Sequence, residues 1–200
     1  TYHEDKCSKA VITIPASFND IQREKTKTSA ELAGIDVIGL LQEPTAAAIA
    51  YNIQPEETIL VFDLGGGTLD VSVVKYEKNA KNSYVVLGTP AGDDHLGGKD
   101  WDEALVCHVL RKVNIDPSTI NKHGRVWAQL MLEAENRKIE LSERFETSFE
   151  VKTSEVNEFV DIRRSEFENI CSGLVQRAVK IVEKAIENTN NAPIDRFVLV

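Results

Sequence analysis

The stretch ILVFDLGGGTLDVSVV, residues 59–74, decides the fold class of this chain. Two apolar runs, residues 59–64 and 68–74, flank three consecutive glycines. Short runs rich in Val, Ile and Leu that are separated by a glycine turn predict two strands joined as a hairpin. In the second run Asp70 and Ser72 alternate with apolar residues, so these polar side chains share one face of the strand.

Before this hairpin, the chain alternates strands and helices. The predicted elements are a strand at 10–14, a helix from an N-cap at Asn19 or Asp20 to about Ala33, a strand at 37–41 and a short helix from Pro44 to Tyr51. Proline suits the first turn of a helix, and Gly34 suits the end of one. This alternation is typical of an α/β layer, so we assign the chain to the α/β class.

After the hairpin, the pattern is more varied. The predicted elements are a strand at 84–87, a loop at 92–98, helices at 100–112 and 125–142, strands at 147–152 and 159–162, a helix at 165–187 and a strand at 197–200. Ser165 and Glu168 have the spacing of a capping box, which predicts the start of the last helix. A strongly apolar strand is costly to leave exposed at a chain end, so we expect the chain to be a fragment.

The composition is that of a globular protein. Of 200 residues, 42% are hydrophobic and 28% are charged, which supports a core and excludes a disordered tail. The net charge of -9 repels phosphate backbones and anionic lipid, so we expect no nucleic-acid and no membrane partner. Cys7, Cys107 and Cys171 are widely spaced and odd in number, which favours a reducing compartment and predicts a cytoplasmic protein, with an organelle left open.

The glycine turn combines features that suit phosphate and magnesium. Gly65–Gly67 carry no side chains, so an anion could approach the backbone and accept several N–H bonds. Asp63 and Asp70 flank the turn with carboxylates, which hydrated Mg²⁺ prefers as ligands, and Thr68 adds a hydroxyl. The turn is not a P-loop, because the chain returns into a strand instead of opening a helix. A plain hairpin turn between solvated aspartates is the alternative.

Two further stretches lie where ligands bind in α/β folds. Glu43 ends an apolar strand just before a helix, at the sheet edge where such ligands collect. A glutamate that merely interacts with the helix dipole is the alternative. Gly97 and Gly98 open a helix, whose N-terminus favours an anion, although an ordinary capped loop would have the same sequence.

A polar stripe marks the helix at 125–142. Glu135, Lys138 and Ser142 recur at i, i+3 and i+7, so they lie on one helical face. Such a face could hold sugar hydroxyls and the edge of a base. A solvated Glu–Lys pair is the alternative.

Four motifs in this order resemble a known family. They are VITIPA with FND at residues 11–20, EPTAAA at 43–48, FDLGGGT at 62–68, and GD with HLGG at 92–98. They closely resemble the nucleotide-binding domain of the seventy-kilodalton heat-shock chaperones, the DnaK-like family of the stress response. The resemblance runs over essentially all 200 residues.

The resemblance implies an actin-like ATPase (ribonuclease H-like) fold, of which this chain would be a part. Residues 1–52 would belong to the inner subdomain of the first lobe. Residues 53–113 and 165–200 would form the inner subdomain of the second lobe, and residues 114–164 its outer subdomain. The first phosphate loop, the catalytic lysine, the second adenosine loop and the peptide-binding domain of the family would lie outside these residues.

The resemblance also implies roles for the candidate residues, with ATP or ADP and Mg²⁺ as cofactors. Asp63 and Asp70 would hold Mg²⁺ through water, and Glu43 would place the metal or the attacking water. The implied phosphate contacts are Gly65, Gly66, Gly67 and Thr68. The implied nucleotide contacts of the second lobe are Gly97, Gly98, Glu135, Lys138 and Ser142. Pro15 and Arg23 match positions that relay the nucleotide state to the peptide-binding domain.

The intact protein would hydrolyse ATP and thereby change its affinity for unfolded polypeptide, which a domain outside these residues would bind. A J-domain co-chaperone and a nucleotide-exchange factor are the implied partners. The alternatives are an actin-like filament-forming ATPase, a sugar kinase of the same fold and a nucleotide-free interaction module. ATP-dependent polymerisation would favour the filament.

The sequence departs from the family pattern at five positions. The family usually has Tyr at Ser17, Asn at Gln42, an acidic residue at Lys99 and Phe at Trp101, and some members have Arg at Ile139. The loss of the tyrosine beside the phosphates affects the expected rate of hydrolysis more than the expected binding.

Overall fold

The computed structural model describes residues 9–78, 83–153 and 156–200. The chain divides into two compact units. Unit 1 comprises the described residues within Thr1–Asp63, Asp70–Asp93 and Ile181–Val200, and unit 2 comprises those within Leu64–Leu69 and Asp94–Lys180. The subdomain limits expected at residues 52, 113 and 164 stay a prediction.

The secondary structure is mixed α/β, as predicted. In chain order the elements are β1 (Lys9–Ile14), α1 (Asp20–Leu32), β2 (Asp36–Gln42), α2 (Glu43–Ala50), β3 (Thr58–Leu64), β4 (Leu69–Glu77), β5 (Ser83–Asp93), α3 (Gly98–Lys112), a 3₁₀ turn (Pro117–Thr119), α4 (Arg125–Glu143), β6 (Glu146–Lys152), β7 (Asn157–Arg163), α5 (Arg164–Ile170), α6 (Ser172–Glu187) and β8 (Arg196–Leu199).

The first half of unit 1 is a β-α-β segment. β1 and β2 pair in parallel, with Ile14 opposite Gln42, and α1 connects them. A capping box starts α1: the Gln22 N–H donates to Asn19 Oδ1 and the Asn19 N–H donates to Gln22 Oε1, both at 3.0 Å. Gly34, with φ of 82°, follows the helix in the left-handed conformation that glycine allows. The predicted N-cap of α1 at Asn19 and the predicted end of this helix at Gly34 are thus confirmed.

A four-stranded sheet in the order β5-β4-β3-β8 forms the rest of unit 1. β3 and β8 pair in parallel, with Val61 opposite Val198. The four residues between β3 and β4 allow only a direct return of the chain, so these neighbours form the predicted hairpin. One core cluster of unit 1 comprises the buried residues Ala48, Ile53, Ile59, Val61, Val74 and Val198.

β5 is longer than predicted. The sequence predicts that this strand ends at Leu87 and that a loop begins at Gly92, whereas β5 continues to Asp93. Gly88 and Pro90 are usual loop residues, which explains the error. Contacts that are remote in sequence hold this segment: Asn188 Nδ2 donates to Thr89 O at 2.7 Å, and Ala91 is buried.

Unit 2 packs helices against the β6–β7 hairpin. The two strands are antiparallel, with Phe149 opposite Val160. The core cluster of this unit comprises Leu105, Val106, Val109, Leu110, Trp127, Leu130, Ala134, Leu141, Phe149, Val151, Val160 and Ile162. The apolar residues of α3 and α4 recur at helical spacing, so each helix buries one face and exposes the other.

The capping box predicted at Ser165 and Glu168 is wrong. α5 begins at Arg164, directly after β7, and its N-cap makes no side-chain hydrogen bond. The Arg164 N–H instead donates to Phe145 O at 2.8 Å, and Arg164 Nε donates to Leu141 O at 2.6 Å. Backbone from a remote segment therefore replaces the local cap. The single helix predicted at 165–187 is also interrupted at Cys171, which separates α5 from α6.

A charged cluster connects α3 with α5. His108 Nε2 lies 2.6 Å from Glu166 Oε1, and Lys112 Nζ lies 3.0 Å from the same oxygen. Lys112 Nζ also donates to Asp161 O at 3.0 Å. Burial raises the pKa of the Glu166 carboxyl, but the hydrogen bonds from His108 and Lys112 outweigh burial and hold this pKa below its usual range.

Glu166→Gln is expected to lower the free energy of unfolding by about 1 kcal/mol at pH 7, because the variant loses a charged hydrogen-bond acceptor. A carboxyl whose pKa is lowered by folding stabilises the protein above its unfolded-state pKa, and this contribution disappears as the pH falls through the folded-state pKa. The difference between the two proteins should therefore shrink towards pH 3. Urea denaturation at both pH values measures it, with the exposed Glu168→Gln on the same helix as control. An unchanged stability at pH 7 would contradict the prediction.

Two cysteines lie within the described residues, and both are free thiols. Cys171 is buried at the break between α5 and α6, and burial raises the pKa of its thiol to about 11. Burial also raises the pKa of the Cys107 thiol. A raised pKa disfavours the reactive thiolate form, so both cysteines act as packing residues. Cys7 lies outside the described residues.

Across the described ranges, no helix combines the length and the apolar character that crossing a bilayer would require.

Candidate functional site

Three carboxylates predicted as a group share one small pocket in unit 1. Glu43, Asp63 and Asp70 line it together with Ser72. Glu43 is the first residue of α2, Asp63 precedes the end of β3, and Asp70 is the second residue of β4. The pocket holds about 10 Å³, which is close to the space of one water molecule.

The electrostatics of this pocket favour a cation. Burial, followed by the charges of Asp63 and Asp70, raises the pKa of the Glu43 carboxyl. Burial also raises the pKa of the Asp63 carboxyl. Carboxylates that repel one another in a partly desolvated pocket gain free energy when a bound cation or a proton offsets their charge.

The described carboxylates do not form a three-ligand metal site. Within residues 9–78, 83–153 and 156–200, no three His, Cys, Asp or Glu side chains converge closely enough to hold a metal ion. The predicted mode, in which Asp63 and Asp70 contact Mg²⁺ through water, fits this arrangement better than direct coordination, since Mg²⁺ usually keeps several waters.

The glycine turn belongs to unit 2 and is closed by one backbone bond, in which the Gly65 N–H donates to Thr68 O at 3.0 Å. Gly65, Gly66 and Thr68 are exposed. Among the described residues, no acceptor pairs with the N–H groups of Gly66 and Gly67. The turn can therefore donate to an anion.

The start of α3 packs directly on this turn. The Gly98 N–H donates to Gly65 O and the Lys99 N–H donates to Gly66 O, both at 3.0 Å. A Cβ atom on Gly97 would lie 2.3 Å from Gly67 N and 2.4 Å from Gly67 Cα. Any side chain at position 97 would force the turn to move, so the two glycine motifs of the sequence form a single closely packed backbone assembly.

A cleft of about 410 Å³ opens beside this assembly. The residues that line it are Gly66, Gly98, Lys99, Asp102, Met131, Leu132, Glu135 and Lys138. Lys138 Nζ lies 2.7 Å from Asp102 Oδ1 and 3.3 Å from Gly98 O, so one ion pair and one hydrogen bond hold it against α3. Burial raises the pKa of the Asp102 carboxyl, and the contact with Lys138 partly offsets this effect.

The structure brings most of the predicted α4 stripe into the cleft, but it separates Ser142 from the others. Ser142 Oγ donates to Lys138 O at 3.4 Å and lines an adjoining cavity of about 280 Å³, together with Lys138, Arg164 and Glu168. Lys138 is therefore the residue that the two cavities share.

Pro15 and Arg23 lie near the start of α1 in unit 1. The Phe18 N–H donates to Pro15 O at 3.2 Å, and Arg23 Nε donates to Phe18 O at 3.0 Å. These bonds make a compact turn after β1. Ala16, within this turn, lines the carboxylate pocket.

Sequence reasoning assigned no role to three residues that line the cleft of unit 2. The sequence marks Lys99 only as a departure from the family pattern, and no motif includes Met131 or Leu132. A signal existed for Leu132: it precedes Glu135 by three positions, on the polar face of α4. Leu132 is 61% exposed and Ile139 is 58% exposed, so this face offers apolar surface to a flat ligand.

Comparisons with known proteins agree with this description. The sequence model of the Hsp70 protein family matches residues 1–200. The chaperone protein DnaK of Mycoplasma mobile is 41% identical over 192 residues, which cover 91% of this chain and 31% of that protein. The dnaK chaperone of Guillardia theta is 40% identical over 210 residues, covering 100% and 33%. DnaK of Halobacterium salinarum is 39% identical over 203 residues, covering 96% and 32%.

The match along the whole chain places this protein in a class with an actin-like ATPase fold. The chain belongs to the Hsp70 family of chaperones. It spans about a third of the length of the curated relatives that it matches. The recognition made from the four sequence motifs is thus confirmed.

Proposed function

We propose that this chain forms nucleotide-binding parts of an ATP-driven protein-folding chaperone. The observation that carries the proposal is the glycine turn. The N–H groups of Gly66 and Gly67, which have no partner among the described residues, lie beside the first turn of α3 and the cleft lined by Glu135 and Lys138. Free N–H groups at a helix start suit phosphate oxygens. The names of the relatives support a chaperone over a filament-forming protein.

In unit 2, Gly65, Gly66, Gly67 and Thr68 would bind the phosphates, with Gly97 and Gly98 keeping the turn in place. Glu135 and Lys138 would bind the ribose and the adenine from α4, and Ser142 would act from the adjoining cavity. The ion pair with Asp102 supports this role, because it orients Lys138 at the cleft.

In unit 1, Asp63 and Asp70 would hold Mg²⁺ through water, and Glu43 would orient the metal or the attacking water. When bound, Mg²⁺ would offset negative charge on the phosphates. The position of Glu43 supports its role, because its carboxylate lines the same small pocket as Asp63 and Asp70. ATP hydrolysis would follow from positioning and electrostatic stabilisation rather than from a covalent intermediate.

Coupling to peptide binding is proposed for the whole protein. Pro15 and Arg23 would relay the nucleotide state. This role is supported by Ala16, which follows Pro15 in the same turn and lines the carboxylate pocket. The proposed partners are unfolded polypeptide, a J-domain co-chaperone and a nucleotide-exchange factor.

The same proposal includes three subdomains, which comprise residues 1–52, residues 53–113 with 165–200, and residues 114–164. It also includes a cytoplasmic location.

Calorimetric titration with ADP and Mg²⁺ tests the nucleotide site. Asp63→Asn removes one carboxylate charge without changing the size of the side chain, and we expect it to weaken binding at least about tenfold in the presence of Mg²⁺. Without Mg²⁺ the two proteins should differ by less than about twofold, because the variant loses only its contribution to the metal.

Asp36→Asn is the matched control, because Asp36 is an exposed residue at the start of β2, away from the carboxylate pocket. Circular dichroism confirms that each variant folds. A folded wild-type chain that binds no ADP would refute nucleotide binding by these residues alone, and equal Mg²⁺-dependent binding by Asp63→Asn would refute the metal role.

A further inference from the structure

Lys99 lies against the glycine turn. It is the second residue of α3, and its side chain reaches Gly67: a Cβ atom built on Gly67 would be 3.4 Å from Lys99 Nζ and 3.9 Å from Lys99 Cε. The ammonium group thus lies within van der Waals distance of the position that a Cβ atom of residue 67 would take. Lys99 also lines the cleft of unit 2 beside Gly66.

Among the described residues, no carboxylate pairs with the ammonium group of Lys99. Lys138, the other cation of the cleft, is neutralised by Asp102 at 2.7 Å. The Asp100 carboxylate accepts the Gly97 N–H at 2.7 Å. Within the part of the chain that the structure describes, Lys99 has no carboxylate within ion-pair distance, and its side chain is exposed.

An unpaired cation next to unpaired N–H groups increases the affinity for ligands that carry negative charge. Backbone N–H groups contribute partial positive charge, and the start of α3 adds to it. Opposite unit charges about 4 Å apart change a binding constant about fivefold even in water, and the effect decreases as salt screens it. In a protein with a net charge of -9, such a local cation matters more for an anionic ligand.

We propose that Lys99 binds phosphate oxygens of the nucleotide at the glycine turn and makes affinity depend on the number of phosphate groups. This inference rests on the proposed nucleotide site. Lys99 acts as a specificity residue: it contributes to the affinity for nucleoside di- and triphosphates and hardly to the affinity for the nucleoside.

Calorimetric titration of the protein with adenosine, AMP and ADP tests this proposal. We expect Lys99→Gln to weaken ADP binding about fivefold and Lys99→Glu about 25-fold, because the second change removes a positive charge and adds a negative one. The loss should be smaller for AMP and within twofold for adenosine. Lys99→Arg should restore ADP binding to within about twofold, because it keeps the charge.

Salt dependence separates a charge effect from a structural one. Raising the salt concentration from 0.05 M to 0.5 M, which shortens the screening length about threefold, should narrow the difference between wild type and Lys99→Glu. Lys180→Gln, an exposed lysine of α6, is the control and should change no affinity.

The outcomes are distinguishable. Wild-type protein that binds none of the three ligands would overturn the nucleotide site and the role of Lys99 together. Wild-type protein that binds ADP as tightly as Lys99→Glu does would overturn only the role of Lys99. An equal loss for every ligand, unaffected by salt, would also overturn that role, because it would show that Lys99 acts through the fold.

Discussion

Gly97→Ala is expected to lower the free energy of unfolding by about 2–3 kcal/mol, the usual cost of forcing extra atoms into a packed position. A methyl group at position 97 would lie 2.3–2.5 Å from three backbone atoms of Gly67. Backbone cannot swing aside as a flexible side chain can, so the glycine turn must move away from α3. We therefore also expect the bonds from the N–H groups of Gly98 and Lys99 to the turn to break.

Nucleotide affinity should fall at least about tenfold in the same variant, if the turn binds phosphate as proposed. Urea denaturation and calorimetric titration with ADP measure the two effects. Gly97 has φ of -155°, an extended conformation that any residue adopts. Position 97 therefore favours glycine only because there is no room for a side chain.

Gly173→Ala is the matched control for Gly97→Ala. Gly173 lies in the first turn of α6, and a Cβ atom there would meet nothing within 4 Å. Since alanine favours a helix over glycine, this change should stabilise the protein by up to about 1 kcal/mol. If the two variants unfolded at the same urea concentration, the tight contact at Gly97 would be refuted.

Gly88→Ala is expected to be the most destabilising single methyl addition, with a loss of about 3–4 kcal/mol. Gly88 has φ of 63°, a conformation that costs other residues about 1–2 kcal/mol. A Cβ atom there would also lie 2.2 Å from Asn188 O, which adds the cost of overpacking. The measurement is the midpoint of urea or thermal unfolding.

Gly34→Ala separates these two contributions. Gly34 has φ of 82°, but a Cβ atom at this position would meet nothing within 4 Å. The Gly34→Ala variant should therefore lose only the free energy that the backbone conformation costs, about 1–2 kcal/mol. A Gly88→Ala variant no less stable than Gly34→Ala would show that β5 does not pack against the segment after α6.

The helix ends and turns were predictable where neighbouring residues supply the hydrogen bonds. Asn19 and Gln22 cap α1 within four residues, and the glycine turn forms from consecutive residues. The start of α5 could not be predicted in this way, because Phe145 O accepts its first N–H. The length of β5 depends in the same way on Asn188.

The candidate site also contains residues that local sequence predicts and residues that only remote contacts bring to the site. Asp63, the three glycines and Asp70 were recognised from one short stretch, since their chemistry and spacing are local properties. Lys99 lies 32 positions after Gly67, and nothing in the local pattern places its ammonium group on the turn. The separation of Ser142 from Glu135 was equally hidden, because helical spacing defines a face but not the cavities along it.

The sequence by itself determined the family, the α/β class, the glycine turn and the capped helix α1, because these depend on the order of residues or on bonds between near neighbours. Only the tertiary structure decided which glycines tolerate no side chain, where β5 ends and that the ammonium group of Lys99 lies against the glycine turn. Those properties depend on the atoms that a remote segment brings into contact, and the local sequence of neither segment contains that information.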